Sequence, residues 1–235
     1  MIPRCSYVGS TGPTRMEIET IDLVIRTKPT ILEILENRGY QVDMHRNTSP
    51  EKIMKLATVS PQLLNFTVSK PPIEGSEEPA ITCHVLYVVD GAIRLRVEGF
   101  LNNIWKPDED EATHLDPSTN ELFVVLSEPY HEVFNIQSAK LWGRMKARVS
   151  FFHIKNLVSN PAHHSMVPPH RKLLEKEIND LMVRLKLRSK FELERITYDD
   201  IQARILGLIP GDIVEIRRPS PTAGYYIKYR VCSLA

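Results

Sequence analysis

The sequence predicts an α+β protein in two parts: an N-terminal α/β layer with a mixed sheet, then a small C-terminal α+β domain. Three observations predict it. Apolar residues recur at helical spacing over 18–35 and again over 130–145, with β-rich and fully apolar runs between them. Ser159-Asn160-Pro161 reads as a linker. Beyond it come one long helix pattern, one short one and two alternating strands. The expected division is a loose tail over 1–15, an N-terminal domain over 16–159 and a C-terminal domain over 160–235.

The N-terminal elements follow in order. Ile18, Ile21, Val24, Ile25, Ile31, Ile34 and Leu35 share a helical face, with a kink or restart expected at Pro29 and a stop at Gly39-Tyr40. Thr48-Ser49-Pro50-Glu51 starts a second helix, with Ser as cap and Pro at the first helical position, and Met54, Leu56 and Ala57 as its apolar face. Strands are expected over 63–69 and 80–89. Asp90-Gly91 and the alternation of Ile93, Leu95 and Val97 with charged residues signal a hairpin, unless the run leads into a helix near 100–105. Leu122 to Leu126 is fully apolar, as a buried strand is. A helix over 130–145 buries Val133, Phe134, Ile136, Leu141 and Trp142. A strand over 149–157 closes the part.

In the C-terminal part, Leu174, Ile178, Leu181 and Leu185 mark a helix over 173–185. A short helix over 199–206 runs into Gly207, and Pro210-Gly211 makes a tight turn before two strands joined by a Pro- and Gly-rich loop.

The chain has 235 residues, 42% hydrophobic and 25% charged, which suits a globular protein with its own core. Cys5, Cys83 and Cys232 are scattered, so a disulfide framework is not expected and a reducing compartment is. No apolar run approaches the roughly 18 residues of a membrane span, and residues 1–15 lack the apolar segment of a secretory signal. Residues 1–159 carry 17 basic and 20 acidic side chains, and residues 160–235 carry 13 and 9. Neither balance argues by itself for a free-standing nucleic-acid binder.

No catalytic centre emerges. His153, His163, His164 and His170 fit no common zinc spacing. Pro107-Asp108 resembles the start of a metal-nuclease motif, but the acid-x-Lys it needs on the next strand is missing, so Asp108-Glu109-Asp110-Glu111 reads as a solvated loop. There is no G-x-S-x-G and no phosphate-cradling glycine loop. No metal, cofactor or small-molecule substrate is expected. Lys140, Arg144 and Arg148 fall four apart and would line one face if the helix reached that far. They read as a solvated face or, more sharply, as a DNA-proximal stripe. The densest signal is Arg217-Arg218-Pro219-Ser220-Pro221-Thr222-Ala223-Gly224 with Lys228 and Arg230: two prolines to stiffen, small residues to admit a neighbour, and cations. It reads as a docking surface.

These residues carry a resemblance. Gly207 to Gly211, then Val214-x-Ile216-x-Arg218-Pro219-Ser220-x-Thr222-Ala223-Gly224 and Tyr226-x-x-Tyr229-Arg230, resemble the assembly domain that archaeal RNA polymerase shares with the fifth-largest subunit common to eukaryotic nuclear RNA polymerases. Met166-Val167-Pro168-x-His170, the stretch 171–187 and Leu193-x-Arg195-Ile196 fit the same pattern, about 70 residues in all. Ile201, Ile205 and Glu194 depart from it. Arg38-Gly39-Tyr40, more loosely, resembles the eukaryotic jaw domain, a nuclease-like layer without catalysis. The resemblance implies a non-catalytic subunit of a DNA-directed RNA polymerase, docked on the largest subunit and flanking downstream DNA, in the nucleus, or in the nucleolus for polymerase I and a cytoplasmic factory for a viral enzyme. The docking residues it implies are Arg204, Gly207, Gly211, Arg217, Arg218, Pro219, Ser220, Thr222, Ala223, Gly224, Tyr226, Tyr229 and Arg230. The loop Ser127-Glu128-Pro129-Tyr130-His131 departs from the jaw's Thr-Pro-Ser-Ala, and an acid there opposes phosphate. Two other readings remain: a degenerate nuclease-like domain fused to a protein-binding module acting outside polymerase, and a direct nucleic-acid binder.

Overall fold

A computed structural model describes residues 17–71, 80–89, 93–105 and 115–234. The expected tail, the Asp90-Gly91 turn and the acidic run 108–111 lie outside these residues. The chain divides into two compact units, Met1–Ser159 and Asn160–Ala235.

The first unit runs α1 (Ile18–Asn37), α2 (Asp43–Arg46), α3 (Pro50–Val59), β1 (Phe66–Lys70), β2 (Ile81–Val88), α4 (Val97–Trp105), β3 (Asn120–Leu126), α5 (Glu132–Met145) and β4 (Arg148–His153). Its sheet has the order β1-β2-β3-β4. β1 pairs antiparallel with β2, and the other pairs are parallel, with Val85 opposite Phe123 and Phe123 opposite Ser150. The mixed sheet is as expected. Its central strand β3 is buried from Glu121 to Leu126, which explains its unbroken apolar run. Leu122, Val124 and Leu126 face α4 and α5, packing with Phe100, Leu101, Trp105, Phe134 and Leu141. On the other face Phe123 stacks on Phe152 at 4.5 Å.

Four local expectations need correction. α1 passes through Pro29 as one helix, because buried Val24, Ile31, Ile34 and Leu35 hold both sides of the proline on one core face. Of the two readings of 93–97 the hairpin falls and the lead into a helix holds: β2 and β3 pair in parallel, so the chain crosses over through α4. α3 buries Ile53 and Ala57, whereas Met54 is exposed, and in α5 Ile136 is exposed. The last expected strand ends at His153, and Ile154–Leu157 form a 3₁₀ turn. The cap expectations hold: the Ser49 hydroxyl accepts the Lys52 N–H at 3.3 Å, and Gly39 takes φ +92 at the end of α1.

The second unit contains β5 (His170–Lys172), α6 (Glu175–Leu185), β6 (Glu194–Thr197), α7 (Ile201–Leu206), β7 (Ile213–Ser220) and β8 (Gly224–Ser233). The sheet order is β5-β7-β8-β6. Leu173, Ile178, Leu181, Ile213 and Val231 form one small core, and Ile196, Tyr198, Ala203, Leu208, Val214, Ile216 and Cys232 another. Leu174 and Leu185, expected on the buried face of α6, are exposed. β5 and β6 were not legible: three and four residues are too short to show an alternation.

Candidate subunit-docking surface

The C-terminal unit builds its most exposed feature from two turns and a ribbon. α7 ends in a left-handed cap at Gly207, φ +71, where the Leu208 N–H donates to Ala203 O at 2.8 Å and Gly207 N–H to Arg204 O at 3.2 Å. Pro210-Gly211 forms the next turn, with Gly211 at φ +98 and Asp212 N–H donating to Ile209 O at 3.0 Å. The Asp212 carboxylate closes it, accepting from Ile209 N–H at 2.8 Å and pairing with Lys172 at 2.6 Å. Gly207 and Gly211 therefore set the path of the chain into β7. Nothing at either position presents a side chain to a partner.

β7 and β8 pair without a bulge from Ile213↔Val231 to Ser220↔Gly224. β5 covers only Val214 to Ile216 on one side, and β6 reaches only Arg230 to Ser233 on the other. The ribbon from Arg217 to Ile227 consequently runs beyond its neighbours. At its tip the Ser220 hydroxyl accepts Ala223 N–H at 3.3 Å, and Gly224 takes φ +72 with nothing within 4 Å of a Cβ placed there. The open space expected beside Ala223-Gly224 is present.

The predicted residues fall into three places. Arg217, Pro219, Thr222, Ala223, Gly224 and Tyr226 are exposed on the ribbon, with half-buried Arg218 and Ser220 beside them. Arg217 lies over the Tyr225 ring at 3.8 Å, and Arg218 Nε is shielded from solvent without a partner among the described residues. At the base, Arg230 and Lys228 meet Glu194 at 3.4 and 2.5 Å, and the hydrogen bond from Lys228 holds the Glu194 carboxyl below its usual range. Tyr229 accepts a hydrogen bond from Arg184 at 3.0 Å. Arg204, Gly207 and Gly211 lie apart from the ribbon, on α7 and its following turns. From Ile216 to Val231 the chain carries four cations and no acid.

In the first unit the Lys140, Arg144, Arg148 stripe does not form. Lys146 caps α5 with φ 58, so Arg148 leaves the helix for β4. Lys140 and Arg144 stay together in a cleft lined by Glu98, Asn102 and Gln137. Arg148 instead joins a buried joint that sequence reasoning missed. Glu121 on β3 accepts from Arg38 at 2.9 Å and Arg148 at 3.2 Å, and from Tyr40 and Cys83. Burial alone would raise the Glu121 carboxyl, but the two arginines outweigh it and bring it to about 2. Burial and this carboxylate push the Tyr40 hydroxyl and Cys83 thiol up. Arg38-Gly39-Tyr40 thus has a physical role: the glycine turns the chain so that both neighbours reach one carboxylate. Nearby, Glu128 accepts from the N–H groups of Ile93 and Arg94 at 2.8 and 3.2 Å. Its charge is satisfied within its own chain.

Among the described residues no three His, Cys, Asp or Glu side chains cluster as metal ligands, and no helix is long and apolar enough to cross a membrane. Comparison with known proteins agrees with the ribbon's motif. Residues 159–232 match the family described as RNA polymerase Rpb5, C-terminal domain. DNA-directed RNA polymerase subunit Rpo5 of Thermococcus kodakarensis is 44% identical over 68 residues, 29% of this chain and 82% of that protein. The DNA-directed RNA polymerases I, II, and III subunit rpabc1 of Dictyostelium discoideum is 26% identical over 92% of this chain and 100% of its own length. Its Caenorhabditis elegans counterpart is 26% identical over 92% of this chain and 97% of its own. The chain belongs to the RNA polymerase Rpb5 family, accessory and not catalytic subunits of DNA-directed RNA polymerase.

Proposed function

We propose that this chain docks on the largest subunit of a nuclear DNA-directed RNA polymerase through its C-terminal unit, as an assembly domain, while its N-terminal unit forms part of the lower jaw beside downstream DNA. The observation that carries the docking is the ribbon: the Arg-Pro-Ser-x-Thr-Ala-Gly motif sits on a hairpin that presents Arg217 and Arg218 with no acid from Ile216 to Val231, while Lys228 and Arg230 at its base pair with Glu194. Such a surface suits an acidic partner. Arg217, Arg218, Pro219, Ser220, Thr222, Ala223, Gly224, Tyr226, Tyr229 and Arg230 make the contact in this reading. Arg204, Gly207 and Gly211 hold the turns that aim it. Arg218→Glu reverses a charge on the ribbon, and Gly224→Val strains its turn at φ +72 while sparing both cores. Both variants are expected to stay soluble and to lose co-purification with the largest subunit. Retained assembly with both would overturn the reading.

For DNA, the exposed pair Lys140 and Arg144 is the proposed neighbour. Arg148 has no part in it, because it leaves α5 for β4 and is held by buried Glu121.

A further inference from the structure

We infer that the partner docks by adding a strand to the outer edge of β8 at Tyr225–Lys228, and that the added segment is extended and carries acidic beside apolar side chains. This inference rests on the docking reading above.

The two edges of the ribbon differ. Cys232 exchanges backbone hydrogen bonds with Asp212 and Gly211, at 2.8 and 2.9 Å, so alternation along the bulge-free register turns Arg230, Lys228, Tyr226 and Gly224 toward β7. The intervening residues turn outward, as Ser233 does in accepting Tyr198 N–H at 2.9 Å. On β7 the outward positions are closed. Arg217 N–H donates to Pro169 O at 3.1 Å, and Pro219 has no N–H to offer. On β8 Tyr225 N–H already donates to Ala223 O at 2.8 Å, and the next outward position, Ile227, is open. Among the described residues β6 pairs no earlier than Arg230, and Ile227 turns an N–H and a carbonyl outward with nothing laid against them.

Edge strands are ordinarily protected by brevity, proline or charge. Here the open edge carries Tyr225, Tyr226 and Ile227 in a row, 50%, 44% and 43% exposed. An unguarded apolar edge is a template for strand addition, in which main-chain hydrogen bonds supply affinity and alternate side chains supply selection. Charge selects the occupant: Arg217 and Arg218 stand one strand in, opposite Ile227 and Tyr226, with Arg217 laid over the Tyr225 ring at 3.8 Å, and the ribbon itself carries no acid. An added strand would lie in line with β6, over the stretch that β6 leaves unpaired.

The test uses the full chain, tagged and expressed in cells. Ile227→Pro removes the outward N–H while leaving every β7–β8 bond its donor. Ile227→Ala removes the side chain and keeps the N–H. The expected result is at least a tenfold loss of the largest subunit with Ile227→Pro and less than a threefold loss with Ile227→Ala. Hydrogen exchange over residues 224–229 is expected to slow when the wild-type chain enters polymerase, a readout that holds whether or not the proline variant folds. If Arg218→Glu abolishes assembly but a folded Ile227→Pro assembles like wild type, docking stands and strand addition falls. If both assemble, docking falls as well. Unchanged exchange over 224–229 on assembly overturns the inference. So does a self-dimer that Ile227→Pro abolishes, because the edge would then serve a second copy.

Discussion

Replacing Arg38 by Met tests the buried joint of the N-terminal unit. Arg38 and Glu121 side chains are each 4% exposed, and Arg148 is 17% exposed. The carboxyl stands at about 2 against an ordinary 4.5. At about 1.4 kcal/mol per pKa unit, the ionised network contributes about 3 kcal/mol at neutral pH. Because the folded value is depressed, that contribution is complete above pH 4.5 and disappears as pH falls toward 2. Arg38→Met removes one counter-charge from a group that burial penalises, so the expected cost is about 3–5 kcal/mol. Both tryptophans, Trp105 and Trp142, lie in the first unit. Urea unfolding followed by tryptophan fluorescence therefore reports this unit within the full chain. Adding Glu121→Leu to Arg38→Met is expected to recover part of the loss, since the buried carboxylate left short of one counter-charge is gone, while Arg148, which loses its partner, keeps a 17% exposed side chain. In the double variant the stability drop between pH 4.5 and 2 should shrink. A cost below about 1 kcal/mol for Arg38→Met, or a double variant no better than the single, refutes this view of the joint.

Three further outcomes follow from named contacts. Pro29→Ala restores the N–H that α1 lacks in its interior, so the tryptophan-detected midpoint should rise, by as much as about 3 kcal/mol. Ser49→Ala removes the cap on α3 and should cost about 1 kcal/mol in the same assay. Lys140→Glu with Arg144→Glu, both exposed on α5, should leave that stability within about 0.5 kcal/mol yet weaken retention of downstream DNA by assembled polymerase. Unchanged retention across a salt series would remove these two residues from the DNA path.

The sequence revealed most where one residue type answers one physical demand. Glycines at 39, 207, 211 and 224 marked turns, and each has positive φ. Ser49-Pro50 marked a helix start because cap and first-turn chemistry are local. The alternation at Ile93, Leu95 and Val97 left hairpin and helix both open because it is a local pattern, whereas the parallel pairing of β2 with β3 requires a crossover. The stripe of Lys140, Arg144 and Arg148 failed for a similar reason: a left-handed cap at Lys146 ended the helix at Met145, three residues short of Arg148. Glu121 could not be found at all. It interrupts nothing in the pattern of β3, and its partners lie 83 residues upstream and on the next strand. The ribbon's motif was legible, but its open edge was not, since that depends on how far β5 and β6 reach.

The central claim is that this chain works as a docked subunit and not alone. Affinity purification of the tagged, unmutated chain under physiological salt, with each polymerase subunit quantified by mass spectrometry, tests it most directly. The predicted result is one largest subunit for each copy of the chain in a fraction active for transcription. Recovery of the chain without the largest subunit, alone or on nucleic acid, would contradict it.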